Sequence, residues 1–259
     1  RLAIRVGAAK DVLNDVIAET GATAVFWNRR YGGPERTLDT DLKASLKQDN
    51  IDVITCNGRL LTEPWDITTG SGTPYKVFTP YWKAMKAAYR APEALPAPKS
   101  LSGPDIGTVT VDDLGLHPTN PDWSGGLADT WSPGEAGAIE RLSDFLEGPI
   151  NTYADDRNRP DLEGGTSRLS PHLHFGEISP TQVWRAVQHG ISADKFDETN
   201  AMVFLSELVW REFSYVLLYY NPDLATENYN SDFDALPWRK DSDAARAWSA
   251  GQTSYPIVD

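Results

Sequence analysis

The sequence predicts an α/β module followed by an all-helical one, joined by a long linker. Three observations carry this. Short strand-like runs alternate with helix-like runs between Leu2 and Cys56. A stretch rich in Pro, Gly, Ser and Asp, with weak periodicity, extends from Ala91 to Trp131. From Ser132 onward the apolar spacing is helical to the end of the chain. Alternating strands and helices build parallel sheets with right-handed crossovers. A linker of that length is unusual inside one compact domain. The resulting boundaries are 1–92 for the α/β part, 93–131 for the linker and 132–259 for the helical part.

In order, Leu2-Ala3-Ile4-Arg5-Val6-Gly7 reads as a short strand or its end. Lys10 to Thr20 places Val12, Leu13, Val16 and Ile17 on one helical face, and Gly21 stops it. Ala22 to Trp27 reads as a buried strand. Thr37 to Gln48 is a second helix with Leu38, Leu42 and Leu46 at four-residue spacing, and Ile51 to Cys56 a third strand. Three strands make a thin sheet, and an open parallel sheet needs both faces covered. Thr69 to Trp82 is a glycine- and proline-bearing loop with an aromatic cluster, leading into a helix. Ser132, Pro133 and Glu135 have the spacing of a capping box, followed by the stripe Ile139, Leu142, Phe145, Leu146 and Ile150. Ser179 caps a helix from Pro180 to His189, Lys195 to Tyr220 is a long helix ended by Asn221-Pro222, and Asp241 to Ala250 is a short one.

Composition is globular, with 40% hydrophobic and 24% charged residues. The net charge of −13 argues against a generic nucleic-acid coat and leaves room only for a local basic footprint. The single cysteine, Cys56, excludes an intramolecular disulfide framework, suits a reducing, cytoplasmic setting, and reads as a small buried apolar residue. No apolar run approaches the ~18 residues of a membrane span.

Chemistry concentrates in two places. Thr166-Ser167-Arg168-Leu169-Ser170, entered through Gly164-Gly165, offers three hydroxyls, a guanidinium and close backbone approach. That is the donor set of a polyanion cradle, although on these residues alone a helix-capping loop fits as well. On the long helix, Glu207, Trp210, Arg211 and Ser214 share one stripe, with Leu205, Leu208, Val209, Val216 and Leu217 on the buried side. The plain account of that stripe is an ion pair beside a core tryptophan. His172 and His174 sit two apart with no further metal ligand nearby, so they read as structural and no metal is expected.

The run from Thr166 to Pro180 joins with Tyr153 before it and Glu207-Leu208-Val209-Trp210-Arg211-Glu212-Phe213 after it. Together they resemble the flavin domain of the DNA photolyase/cryptochrome family, most of all its class I cyclobutane pyrimidine dimer members. Val25 to Tyr31 is similar to the family's mid-domain strand and loop, and Gly251 to Asp259 to the start of its next helix. The resemblance implies a fragment lacking both ends. It would hold part of a Rossmann-like antenna domain and part of a helical FAD-binding domain, and alone it is expected to be inactive.

The resemblance also assigns residues. Tyr153, Thr166, Ser167, Arg168, Leu169, Ser170, Phe204 and Arg211 match positions at the FAD, and Phe204 stands where some members carry a tryptophan. Glu207 and Trp210 match the pair that receives a flipped-out pyrimidine dimer, the carboxyl on the base edge and the indole against its face. Arg157 and the run Glu207, Leu208, Val209, Trp210, Arg211, Glu212, Phe213 and Ser214 match the DNA side. The implied activity is light-driven repair of dimers in UV-damaged DNA by a monomeric carbon–carbon lyase. A cryptochrome photoreceptor and a 6-4 photoproduct enzyme are the alternatives. A second chromophore, folate or deazaflavin, is implied without a place. Ser71, Gly72 and Thr73 stand where folate-binding members carry Asn and Glu, so no folate site is carried over.

Overall fold

A computed structural model describes residues 2–259. The α/β part comprises α1 (Ala9–Thr20), β1 (Ala24–Asn28), α2 (Gly33–Gln48) and β2 (Asp52–Cys56). Gly21 ends α1 in the left-handed conformation, φ 66°, and its N–H donates to the Ile17 carbonyl at 2.8 Å. β1 and β2 pair in parallel, Ala24 opposite Asp52 and Asn28 opposite Cys56.

The strand expected at Leu2–Gly7, the first in chain order, does not form. Ile4 instead meets the linker, donating to the Thr108 hydroxyl at 2.8 Å and accepting from the Val109 amide at 3.1 Å. Two bonds to an irregular partner do not make a ladder. The consequences appear in β1 and β2. Phe26, expected buried, is 66% exposed, and Cys56 is exposed as well. A two-stranded sheet leaves apolar side chains of one face without a covering layer.

The helical part comprises α3 (Phe78–Ala88), α4 (Gly125–Thr130), α5 (Glu135–Glu147), α6 (Tyr153–Asp156), α7 (Ser170–Phe175), α8 (Pro180–Ser192), α9 (Glu198–Tyr220) and α10 (Ser242–Ser249). One core runs from Leu61 and Ile67 through Tyr81 and Met85 of α3 to Val183, Leu205, Val209 and Val216. α3 therefore packs among the helices. α8 starts as its sequence predicts: the Ser179 hydroxyl accepts from the Gln182 amide at 3.1 Å, and the Gln182 side chain accepts from the Ser179 amide at 2.8 Å.

The capping box expected at Ser132 does not form. Gly134 adopts φ 99° and is itself the N-cap of α5, without a side-chain cap. The Ser132 carbonyl turns onto Gly137, where any Cβ would lie 1.9 Å from it. The buried stripe shifts with it: Ala138, Leu142 and Phe145 are buried, whereas Ile139 is 56% exposed.

Residues up to Tyr220 form one compact unit and Asn221–Asp259 a second. Within the second, Asp241 caps α10 by accepting from the Asp243 and Ala244 amides, and the Asp259 carboxylate accepts from Thr253 and Ser254. No helix of the described residues is long and apolar enough to cross a membrane.

Candidate functional site

The run Thr166–Ser170 enters α7, with Pro171 in its first turn. Thr166, Arg168 and Ser170 are exposed, Ser167 is half-buried with its hydroxyl accepting from the Leu169 amide at 3.4 Å, and the buried Leu169 anchors the loop in the core. Arg168 sits at φ 53°, a left-handed conformation that a non-glycine residue adopts at a cost. Its guanidinium lies 5.7 Å from the Trp131 ring centroid, and Trp131 in turn meets the His172 ring edge-on at 6.5 Å. Beside α7 a cavity of about 470 Å³ is walled by Trp131, Pro133, Pro171, His172 and Phe175. His172 is buried, and its Nδ1 lies 2.5 Å from Glu177, whose carboxyl this contact holds below the usual range. That engagement suits a structural histidine.

A second neighbourhood forms where α6 meets α9. Asn200 of α9 accepts the Ala154 amide at 2.8 Å and so fixes the start of α6. Tyr153 is buried, its ring edge-on to Phe204 at 5.3 Å and to Phe145 at 5.6 Å. Burial, then the nearby Glu207 charge, pushes its hydroxyl pKa up. Arg157 is ion-paired with Glu207, which raises the guanidinium's pKa, and lies 6.0 Å from the Tyr153 ring centroid. Both partners keep about a third of their side chains exposed, 29% and 33%.

One turn further along α9, Trp210 is 43% exposed. One face of its indole is covered by Phe78, stacked at 3.7 Å with an interplanar angle of 10°. Its edge meets Phe213 at 5.9 Å. Arg211 donates to Glu212 at 2.9 Å and lies 5.1 Å from the Tyr215 ring centroid. Glu212 is 1% exposed, and burial lifts its carboxyl to about 7 against the opposing pull of Arg211 and the Leu61 amide.

The structure thus brings Tyr153, Phe204, Arg157 and Glu207 together, with Trp210 on the next turn. Arg168 and its neighbours form a separate exposed run, and Arg211 is engaged by Glu212 and Tyr215. The DNA-facing run needs correction. Leu208, Val209, Glu212 and Phe213 are all buried, because a long helix packed on several sides shows only part of its surface. Glu207, Trp210, Arg211 and Ser214 keep accessible surface. Sequence reasoning missed the roles of Phe78 and Trp131 and the clamp made by Glu212. Of these, Phe78 carried a signal, as a member of the aromatic cluster expected from Thr69 to Trp82.

At the C-terminal ends of β1 and β2, a cleft of about 260 Å³ is lined by Trp27, Arg36, Lys43, Trp65 and Tyr219 among others. Arg29 and Arg30 at its rim are ion-paired with Glu63 and Asp39. In the Thr69–Thr73 loop the hydroxyls bond one another, Thr69 with Thr73 at 2.8 Å and with Ser71 at 3.0 Å.

A small parallel α/β part and a helical core, with a hydroxyl- and guanidinium-bearing run at 166–170 and a carboxylate and indole a turn apart on α9, define the class as a mixed α/β-plus-helical protein. Comparison with known proteins makes this specific. Residues 1–99 match the family model described as DNA photolyase, and residues 204–259 match that of the FAD binding domain of DNA photolyase. The chain belongs to the DNA photolyase family. It is 42% identical to the deoxyribodipyrimidine photo-lyase of Agrobacterium fabrum, across all of this chain and 54% of that protein. It is 32% identical to cryptochrome-1 of Arabidopsis thaliana, over 95% of this chain and 37% of that one. Among solved structures, a bacterial class III photolyase from Agrobacterium tumefaciens superposes with a TM-score of 0.92 at 41% identity, covering all of this chain and 53% of that one. The chain spans about half the length of the photo-lyases it matches. The 166–170 run lies between the two matched stretches, and Glu207, Trp210 and Arg211 lie inside the second.

Proposed function

We propose that this chain serves the light-driven repair of cyclobutane pyrimidine dimers in DNA, within a protein of its photo-lyase relatives' length. One observation carries the reading: Glu207 and Trp210, a turn apart on α9, present a carboxylate about one-third exposed beside an indole with Phe78 on one face only. A flipped base needs a hydrogen-bonding group at its edge and an aromatic plane against its face. The Glu207 oxygens would accept from the base-edge N–H, and the free face of Trp210 would stack on the ring. Arg157 orients the carboxylate through their ion pair. The accessible part of the DNA side is then Arg157, Glu207, Trp210, Arg211 and Ser214.

The donor chemistry of the 166–170 run fits a dinucleotide's diphosphate. Thr166, Ser167 and Ser170 offer hydroxyls, and Arg168 is exposed with its guanidinium over the Trp131 ring. Reduced FAD, when bound, supplies the photoexcited electron that opens the cyclobutane ring. Tyr153 and Phe204, both buried, would exclude water from the cofactor's side of Glu207, and Leu169 anchors the loop. Because the net charge is −13, affinity for DNA would rest on a small basic patch and fall with salt.

The test is reversal of a thymine dimer in an oligonucleotide by a protein of the relatives' length carrying this chain, in blue light and in darkness. Light-dependent reversal is the expected result. A flavin-loaded protein without reversal would shift the reading to a photoreceptor or to a 6-4 photoproduct enzyme, and the 6-4 lesion is the next substrate.

A further inference from the structure

Trp210 cannot offer both of its faces. Phe78 lies flat on one of them, with ring centroids 3.7 Å apart and planes within 10°. That is the position a stacked base would otherwise take. Phe78 comes from a distant part of the chain, at the first turn of α3. Its own ring is held edge-on by Phe213 at 6.0 Å, and Phe213 is buried against Tyr81 at 5.3 Å. Phe213 also meets the edge of Trp210, so the three rings brace one another.

An indole on a helix surface ordinarily samples several rotamers. Here a parallel ring on one side and a perpendicular ring at the edge leave a single seat. Trp210 keeps 43% of its surface exposed, and Phe78 covers one of its two faces. Phe78 is therefore placed to decide which face of Trp210 meets a ligand, and at what distance from Glu207 one turn earlier.

We propose that Phe78 is a positioning residue for the base-stacking face of Trp210, and that it sets the preference for damaged over undamaged DNA. The inference rests on the proposed role of Trp210 as a stacking plane. Phe78 acts through the indole; it does not touch the base. Stacking is sequence-tolerant and geometry-dependent, so an indole free to turn would still bind DNA while losing the alignment that a dimer requires.

The experiment uses a flavin-loaded protein of the relatives' length. Dimer-containing and undamaged oligonucleotides are titrated against the parent, Phe78→Ala, Phe78→Tyr and Trp210→Ala, with flavin absorbance recorded for each. Phe78→Ala is expected to weaken dimer binding by about threefold to tenfold, the range of one aromatic pair. Binding of undamaged DNA and flavin content should stay at parent values. Phe78→Tyr, which keeps the plane, should restore dimer binding. If Trp210→Ala loses dimer preference while Phe78→Ala keeps it, Phe78 is core packing and the inference falls, with the pocket intact. If Trp210→Ala also keeps it, the stacking role of Trp210 falls and takes the inference with it. Should the alanine variant not fold, Phe78→Leu retains the apolar volume without the plane and should show the same loss of dimer preference; retention overturns the inference.

Discussion

Glu212 of α9 accepts a hydrogen bond from the backbone amide of Leu61 at 2.6 Å, across 151 residues of sequence. The carboxyl is buried, and its other oxygen accepts from Arg211. One side chain thus ties the segment after β2 to the helix that carries Glu207 and Trp210.

That tie is expected to be pH-sensitive. Burial raises the Glu212 carboxyl from 4.5 to about 7 in the folded state. The folded protein therefore holds this proton more tightly than the unfolded chain does. The stability that Glu212 contributes is fully present below about pH 4.5 and is lost as pH rises through about 7. Glu212→Gln keeps a side-chain acceptor for the Leu61 amide and removes the titration. The difference in unfolding free energy between parent and variant, from urea melts at several pH values, should move in the variant's favour between those limits. A difference that stays constant would remove Glu212 as the titrating group.

Glu207→Ala separates repair from folding. The Arg157–Glu207 pair is about one-third exposed, so its loss should change stability by less than about 1 kcal/mol. A hydrogen bond to a charged group carries more in a binding pocket, and kcat/KM for dimer reversal should fall about tenfold to a hundredfold. Flavin absorbance should be unchanged. Loss of flavin together with activity would contradict a role at the base edge.

Arg168→Ala tests the cradle. Arg168 is exposed and its guanidinium lies over the Trp131 ring, so the flavin-free protein should keep its melting temperature within a few degrees. Flavin affinity should drop by about tenfold or more, as when one charge-assisted contact to phosphate is removed. Unchanged flavin content after extensive dialysis would refute the assignment.

Ser179→Ala probes the fold away from the site. It removes the cap of α8, where the hydroxyl accepts the Gln182 amide at 3.1 Å. The expected cost is about 1 kcal/mol in a denaturant titration, with flavin content and repair unaffected.

Local signals were legible wherever neighbouring residues sufficed. The α1 stop at Gly21 and the Ser179 cap of α8 formed as their spacing predicts, and the structure adds the reciprocal Gln182 contact at α8 and an Asp241 cap at α10. Each depends on a few consecutive residues, and so can be read without the fold. The strand expected at Leu2–Gly7 and the cap expected at Ser132 failed for the opposite reason. A strand needs a partner along its length, and Ile4 found only the loop at Thr108–Val109. A cap needs the chain to enter from the right side, and Gly134 at φ 99° redirected it.

The site divides in the same way. Sequence by itself determined the hydroxyl and guanidinium run at 166–170, and the stripe of Glu207, Trp210, Arg211 and Ser214, because a loop composition and a helical period are local properties. It also brought out the family resemblance, since that lies in consecutive motifs. Only the tertiary structure decided that Glu207 meets Arg157, that Glu212 is buried on the Leu61 amide, and that Phe78 takes one face of Trp210. Those contacts join residues from about fifty to more than 150 positions apart. They arise from packing α3, α6 and α9 around one core, and no period in the sequence encodes which side of a helix another element will cover.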